Sequence, residues 1–177
     1  MNLDSEIHTH PRTAFMRIAT ESDLPRIVDI YNSTVSSRQS TADTEPVTVE
    51  QRLDWFRRHT AGRRPILVHE TDGVVGAWVS FEPFYGRAAY RRTAEISIYI
   101  APEHRGRGLG RAILGEAVAM APGLEINTLL AYVFSHNQPS LRLFSALGFA
   151  EWGRLPGIAE MDGREYSLSI LGLRTQV

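Results

Sequence analysis

The stretch His104-Arg105-Gly106-Arg107-Gly108-Leu109-Gly110-Arg111 lies between two segments of different periodicity. Upstream, residues 94–100 alternate. Ile96, Ile98 and Ile100 fall on one face and Glu95, Ser97 and Tyr99 on the other, the pattern of a β-strand, which Pro102 ends. Downstream, Leu109, Ile113, Ala117 and Met120 recur at helical spacing and predict a helix over 108–120. Glycines at a strand-to-helix junction let several backbone N–H groups point outward together. The following helix adds the positive end of its dipole. Together these make an anion site suited to a pyrophosphate.

Working outward, residues 15–19 read as a first strand. Thr20 with Asp23 gives a helix start, Pro25 sits in its first turn, and Leu24, Ile27, Val28, Ile30 and Tyr31 follow at helical spacing. A polar stretch over 32–46 is long for a loop inside a compact domain, a length associated with function or mobility. Thr48 with Gln51 starts a second helix whose apolar side is Leu53, Trp55 and Phe56. Residues 66–70 and 74–81 form a hairpin around Thr71-Asp72-Gly73. The segment 82–92 breaks the pattern with Pro83, Gly86, three aromatics and three arginines. A strand over 129–134, a helix over 139–147 stopped by Gly148, and strands over 149–152 and 166–171 complete the chain. This order predicts an α/β (α+β) fold, a sheet of about seven strands flanked by about four helices. Residues 15–174 form a single domain behind a flexible N-terminal tail, 1–14.

Composition removes whole chemistries. The chain of 177 residues has no cysteine, and all 19 of its Lys and Arg residues are arginine. No thiol nucleophile, thiolate metal site, Schiff base or pyridoxal attachment is available. A net charge of −1 argues against nucleic acid as a partner. No run approaches the roughly 20 apolar residues of a membrane span, and the N-terminus has no secretory pattern, so the expected location is the cytoplasm. His8 and His10 in the tail, and His59, His69 and His104 elsewhere, lack ligand spacing, and no metal is expected. Trp55, Trp78 and Trp152 read as core or dimer residues rather than a substrate cage.

Three phosphate-loop patterns compete for the glycine stretch. A Walker A loop needs a lysine, which the chain lacks. A dinucleotide fingerprint starting at Gly106 needs glycine where Arg111 stands. The third, R/Q-x-x-G-x-G/A, is satisfied by Arg105, Gly108 and Gly110. His136-Asn137-Gln138-Pro139-Ser140, followed by Leu147-Gly148-Phe149, supplies a second signature, N-x-x-S…L-G-F. On these motifs the chain resembles the GNAT N-acetyltransferase superfamily over residues 16–171. Ile30-Tyr31-Asn32, Arg91-Arg92-Thr93-Ala94-Glu95 and Ile98-Tyr99-Ile100-Ala101-Pro102 are similar to its phosphinothricin and methionine sulfoximine acetyltransferase branch.

The resemblance implies a mixed sheet that splays open between strands 94–100 and 128–134, with acetyl-CoA in the gap. It implies coenzyme contacts from Ile98, Tyr99 and Ile100, from Arg105, Gly106, Arg107, Gly108, Leu109, Gly110 and Arg111, and from Asn137 and Ser140. Asn137 is also read as a helix cap exposed at the helix entrance. It implies a homodimer as well.

Glu95 is a carboxylate in mid-strand, where burial raises its pKa towards that of a general base. The alternative is a structural carboxylate paired with Arg91 or Arg92. The branch places its base at the equivalent of Glu95. The implied chemistry is direct aminolysis of the thioester, with a backbone N–H near Tyr99 or Ile100 stabilising the oxyanion. Many members carry tyrosine, and the sulfoximine branch histidine, where this chain has Phe144, which cannot donate a proton. Ser135, Ser140 and Tyr99 are the candidate donors to the departing thiolate. For a substrate carboxylate, Arg87, Tyr90 and Arg91 are the candidates, against a merely solvated arginine loop. The expected function is N-acetylation of a small amino acid or analogue. The alternatives are a protein or peptide N-acetyltransferase and a non-catalytic acetyl-CoA-binding module.

Overall fold

In chain order the elements are β1 (Met16–Ile18), α1 (Leu24–Val35), α2 (Val49–Arg58), β2 (Ile66–Thr71), β3 (Val74–Pro83), β4 (Thr93–Ile100), α3 (Leu109–Met120), β5 (Thr128–Phe134), α4 (Gln138–Ser145), β6 (Ala150–Met161) and β7 (Arg164–Arg174). They come from a computed structural model that describes residues 16–59 and 61–175. The tail over 1–14, with His8 and His10, and the start of the first strand at Phe15 lie outside the described residues. One mixed sheet runs in the order β1-β2-β3-β4-β5-β7-β6.

Every neighbouring pair is antiparallel except β4 and β5, which run parallel and pair only at Thr93–Thr128, Ala94–Leu129 and Glu95–Leu130. Beyond Glu95 the two strands part. Each has a full-length partner on its other side: β3 opposite residues 94–100, and β7 opposite residues 128–134. The backbone at the opening therefore loses one ladder, not both, and the sheet holds together around the gap. This is the splayed sheet that the resemblance implied.

The alternation in β4 feeds two cores. Ala94 and Ile96 are buried with Ile113, Leu114, Ala117 and Phe144 under α3 and α4. Tyr99 packs on the other face with Trp78, Ile27, Ile30 and Trp55 under α1 and α2. Its ring stacks on Trp78, with centroids 4.5 Å apart at 21°. Gly110 lets α3 approach closely, because a Cβ there would lie 3.1 Å from Ile100 Cδ1 and 3.3 Å from Leu143 Cδ2.

Some boundaries differ from the sequence reading. A short turn over Glu21–Asp23 precedes α1, which runs on to Val35, into the stretch expected to be loop. Asp23 there holds Arg17 with two hydrogen bonds of 2.7 and 2.9 Å, tying β1 to the start of α1. The arginine pulls the Asp23 carboxyl down to about 2. The larger difference is the last hairpin, expected as two short strands and found as strands of 12 and 11 residues. Gly153 and Pro156-Gly157 break the alternation of β6, and the ladder absorbs them as register shifts at 151/153 and 155/159. The turn is Asp162-Gly163, with φ of 53° and 72°, a two-residue hairpin signal that sequence reading passed over.

Candidate active site

The gap between β4 and β5 opens into two joined hollows of about 280 and 400 Å³. Glu95, Ser97, Tyr132 and Phe144 line the smaller, and the glycine loop lines the larger. Gln39, Ser40, Ile98, Tyr99, Asn137 and Ser140 border both.

The glycine loop is built as its sequence demands. Gly106 and Gly108 have φ of 74° and 78°, values that favour glycine. Gly108 caps α3, and its carbonyl accepts from Arg111 N at 3.1 Å. Among the described residues, the backbone N–H groups of 106–110 have no hydrogen-bond partner. They cluster at the helix start, where the dipole is positive. Arg107 and Arg111 are exposed and carry no ion pair among the described residues. Arg105 instead folds back, donating from Nε to the Ile100 carbonyl at 2.8 Å and from a terminal nitrogen to Ser33 Oγ at 3.3 Å. Of the twelve residues expected at the coenzyme, eleven line the larger hollow. Arg107 does not.

Asn137 is not exposed as expected but 4% accessible, and both ends of its amide are engaged. Oδ1 accepts from Ser140 N at 3.2 Å as the α4 cap, and Nδ2 donates to the Gln39 carbonyl at 3.0 Å. It helps to fasten a strap over residues 38–40 across the gap. His136 Nε2 donates to the Arg38 carbonyl at 2.8 Å and Tyr99 Oη to the Ser40 carbonyl at 3.2 Å, while Arg38 pairs with Asp162 at 2.8 Å. Sequence reading flagged this stretch by its length and polarity, without selecting Gln39 or Ser40.

Backbone alternation settles which amides face the opening. Ala101 N donates to Gly76 O on β3, while Arg92 O accepts from Thr128 N on the β5 side. The backbone groups of Ile96, Ile98 and Ile100 therefore point into the gap, and those of Tyr99 point to β3. Of the two expected oxyanion donors, the N–H of Ile100 faces the gap and that of Tyr99 does not; the N–H of Ile98 faces the gap as well.

Glu95 is half-buried, with no ion pair or hydrogen bond among the described residues. The expected alternative pairing with Arg91 or Arg92 is absent. Burial, and then the charge of Glu82 across the strand pair, push its carboxyl above the usual range. Glu82 was missed in the sequence, where it fell at the edge of an irregular segment. So was the second role of Trp55, whose Nε1 donates to Glu82 Oε1. His59 Nε2 lies 3.0 Å from the same oxygen, off the line of a good hydrogen bond.

Arg87, Tyr90 and Arg91 come together, but not with Glu95. They line a separate hollow of about 210 Å³ with Arg63, Arg64 and Phe84. Phe144 is 3% exposed and packs edge-on against Phe149, with centroids 5.0 Å apart. Of the donors considered in its place, Ser135 Oγ is bonded to Ser169 Oγ at 3.0 Å. Burial pushes the Tyr99 hydroxyl far above its ordinary range. Ser140 lines both hollows. Trp78 is 3% exposed and its Nε1 donates to Ile27 O, as a core residue should, whereas Trp152 is 50% exposed over the backbone of Gly172. Among the described residues no cluster of His, Asp and Glu could hold a metal, and no helix is long and apolar enough to cross a membrane.

A splayed sheet with an anion-ready loop at one end of the gap and a carboxylate of raised proton affinity at the other defines an acyl-transfer fold. Residues 25–149 match the model of the acetyltransferase (GNAT) family, and the chain belongs to that family. It is an acetyltransferase of the phosphinothricin and amino-acid type. It is 55% identical over 157 residues to the Bacillus subtilis (strain 168) protein named "Putative phosphinothricin acetyltransferase YwnH", spanning 89% of this chain and 96% of that one. It is 31% identical over 159 residues to the L-methionine sulfoximine/L-methionine sulfone acetyltransferase of Salmonella typhimurium, spanning 90% and 93%. A crystal structure of a phosphinothricin acetyltransferase from Sinorhizobium meliloti in complex with AcCoA superposes with a TM-score of 0.86 at 29% identity, covering 92% of this chain and 89% of that one.

Proposed function

We propose that this enzyme transfers acetyl from acetyl-CoA to the amino group of a small amino acid or analogue of the phosphinothricin or methionine sulfoximine kind, directly, within a ternary complex. One observation carries the reading: a continuous gap joins the unpartnered N–H groups of residues 106–110 to Glu95. The loop amides, with Arg111, take the pyrophosphate. The pantetheine arm follows β4 under the strap, beside Asn137 and Ser140. At the far end Glu95 accepts a proton from the substrate ammonium, directly or through water, and the free amine attacks the acetyl carbonyl. The gap-facing N–H of Ile98 or Ile100 receives the developing oxyanion. The tetrahedral intermediate then collapses to the amide and coenzyme A thiolate, and the second proton of the attacking nitrogen passes to solvent or is relayed through the Ser140 hydroxyl to the departing sulfur. With no cysteine in the chain, a thioester acyl-enzyme has no place in the scheme.

In this reading Arg87, Tyr90 and Arg91 act as a cationic, aromatic rim that draws an anionic amine in, supported by their clustering in one hollow. A homodimer completes the proposal, on the strength of the family resemblance.

The test is acetyl-CoA consumption over a panel of the amino acids, methionine sulfone, methionine sulfoximine and phosphinothricin. Turnover is expected with at least one α-amino acid or analogue. No turnover with any, together with acetylation of peptide N-termini or tight acetyl-CoA binding without transfer, would replace this reading with the peptide or binding-module alternative.

A further inference from the structure

Glu82 stands directly opposite Glu95 in the β3–β4 ladder. The alternation established at Ala101 makes this a hydrogen-bonded pair, with Cα atoms about 5.5 Å apart and both side chains on the same face. Two carboxylates so placed repel each other, and a sheet normally avoids the arrangement. Here it is built in. Trp55 Nε1 donates to Glu82 Oε1, and His59 Nε2 sits 3.0 Å from that oxygen. His59 caps the C-terminal end of α2, its ring is 5% exposed, and its Nδ1 donates to the Trp55 carbonyl at 2.8 Å. With Nδ1 committed to the Trp55 carbonyl, the ring is fixed edge-on beside the Glu82 carboxylate, close to it but without a hydrogen bond of good geometry.

We propose that Trp55, His59 and Glu82 form a charge-holding unit behind the base, in which Glu82 is a positioning residue that keeps a fixed negative charge against Glu95 and so sustains its proton affinity. The inference rests on Glu95 being the base. It gives a function to three residues the reaction otherwise leaves unused. Burial tends to raise the Glu82 carboxyl, yet His59, Trp55 and Arg58 together bring it below its usual range, while burial and Glu82 hold Glu95 above. Adjacent carboxylates whose surroundings drive them apart are the arrangement that lets one stay ionised while the other works as a base. The other ionisable groups near Glu95 are Tyr99 on its own strand and Tyr132 on β5, both held above their ordinary range by burial first and by the Glu95 charge as a smaller cause. Neither carries charge at neutral pH, which leaves Glu82 as the electrostatic partner of Glu95 among the described residues.

The test is a carboxyl-carbon NMR titration of uniformly carbon- and nitrogen-labelled protein, with the glutamate side-chain resonances assigned by through-bond correlation to the backbone, run beside the pH profile of kcat/KM. In the wild type Glu82 is expected to titrate at lower pH than Glu95. Titration in the reverse order would overturn the proposal, and this arm needs no Glu82 variant to fold. In Glu82→Gln the titration of Glu95 should move down by about half to one pH unit, carrying the acidic limb of the rate profile with it. Glu82→Asp, which keeps the charge, should restore most of the shift. A Glu95 titration unmoved by Glu82→Gln would reject the charge-holding unit. A Glu95 titration that moves while the rate limb stays in place would instead reject Glu95 as the base.

Discussion

The two ends of the gap are built on opposite principles. At the glycine loop, polar groups are left empty: five consecutive N–H groups lack partners and two arginines are unpaired among the described residues. At Glu95, the surroundings are filled: Trp55 is hydrogen-bonded to both Glu82 and His59, and the base is left without a hydrogen bond among the described residues. The first end is an open socket for a charged ligand. The second is a preset environment that changes the chemistry of one group. A socket tolerates single losses gradually, whereas a preset group fails when it is removed, and the two ends should therefore respond differently to substitution.

The largest effect belongs to the filled end. Glu95→Gln should lower kcat/KM for a responsive amine by roughly 100- to 10,000-fold, the span of general base catalysis. Acetyl-CoA affinity, measured by calorimetry, should stay within about twofold. A comparable loss of affinity would mean that the two ends are not separable. A smaller effect belongs to the open end. At Gly108 a Cβ would meet no neighbouring protein atom, so the cost assigned to Gly108→Val is that of φ 78° for a β-branched residue. That cost, on the order of 1–2 kcal/mol, lets the free loop relax out of the binding geometry, and re-forming it on the ligand weakens acetyl-CoA binding about tenfold. The rate at saturating acetyl-CoA should change little, and a rate collapse with binding intact would contradict the division.

The same contrast explains what could be read from the chain. The loop is contiguous, so Arg105, Gly108 and Gly110 announce it at fixed spacing, and the alternating strand before it locates Glu95. The unit behind Glu95 is scattered: Trp55 and His59 come from α2 and Glu82 from the end of β3, and register, not spacing, brings them together. No local pattern marks Glu82 before the pairing of β3 with β4 is known. The strap at residues 38–40 was legible as a long polar loop, but its fastening to Tyr99, His136 and Asn137 depends on tertiary contacts nearly 100 residues apart in the last two cases. Arg87, Tyr90 and Arg91 show the converse. Their residue types fit an anion, yet the turn after β3 turns them into a hollow of their own. The long β6–β7 hairpin was hidden by Pro156 and two glycines that a bulged ladder accommodates, although Asp162-Gly163 was there to be read.

The claim at the centre is that both substrates occupy the gap together and that acetyl passes between them without resting on the protein. Initial velocities with acetyl-CoA and the responsive amine both varied test it most directly. Lines that intersect in the double-reciprocal plot are the expected result. Parallel lines, with acetylated enzyme that forms from acetyl-CoA alone and is then discharged by the amine, would contradict it.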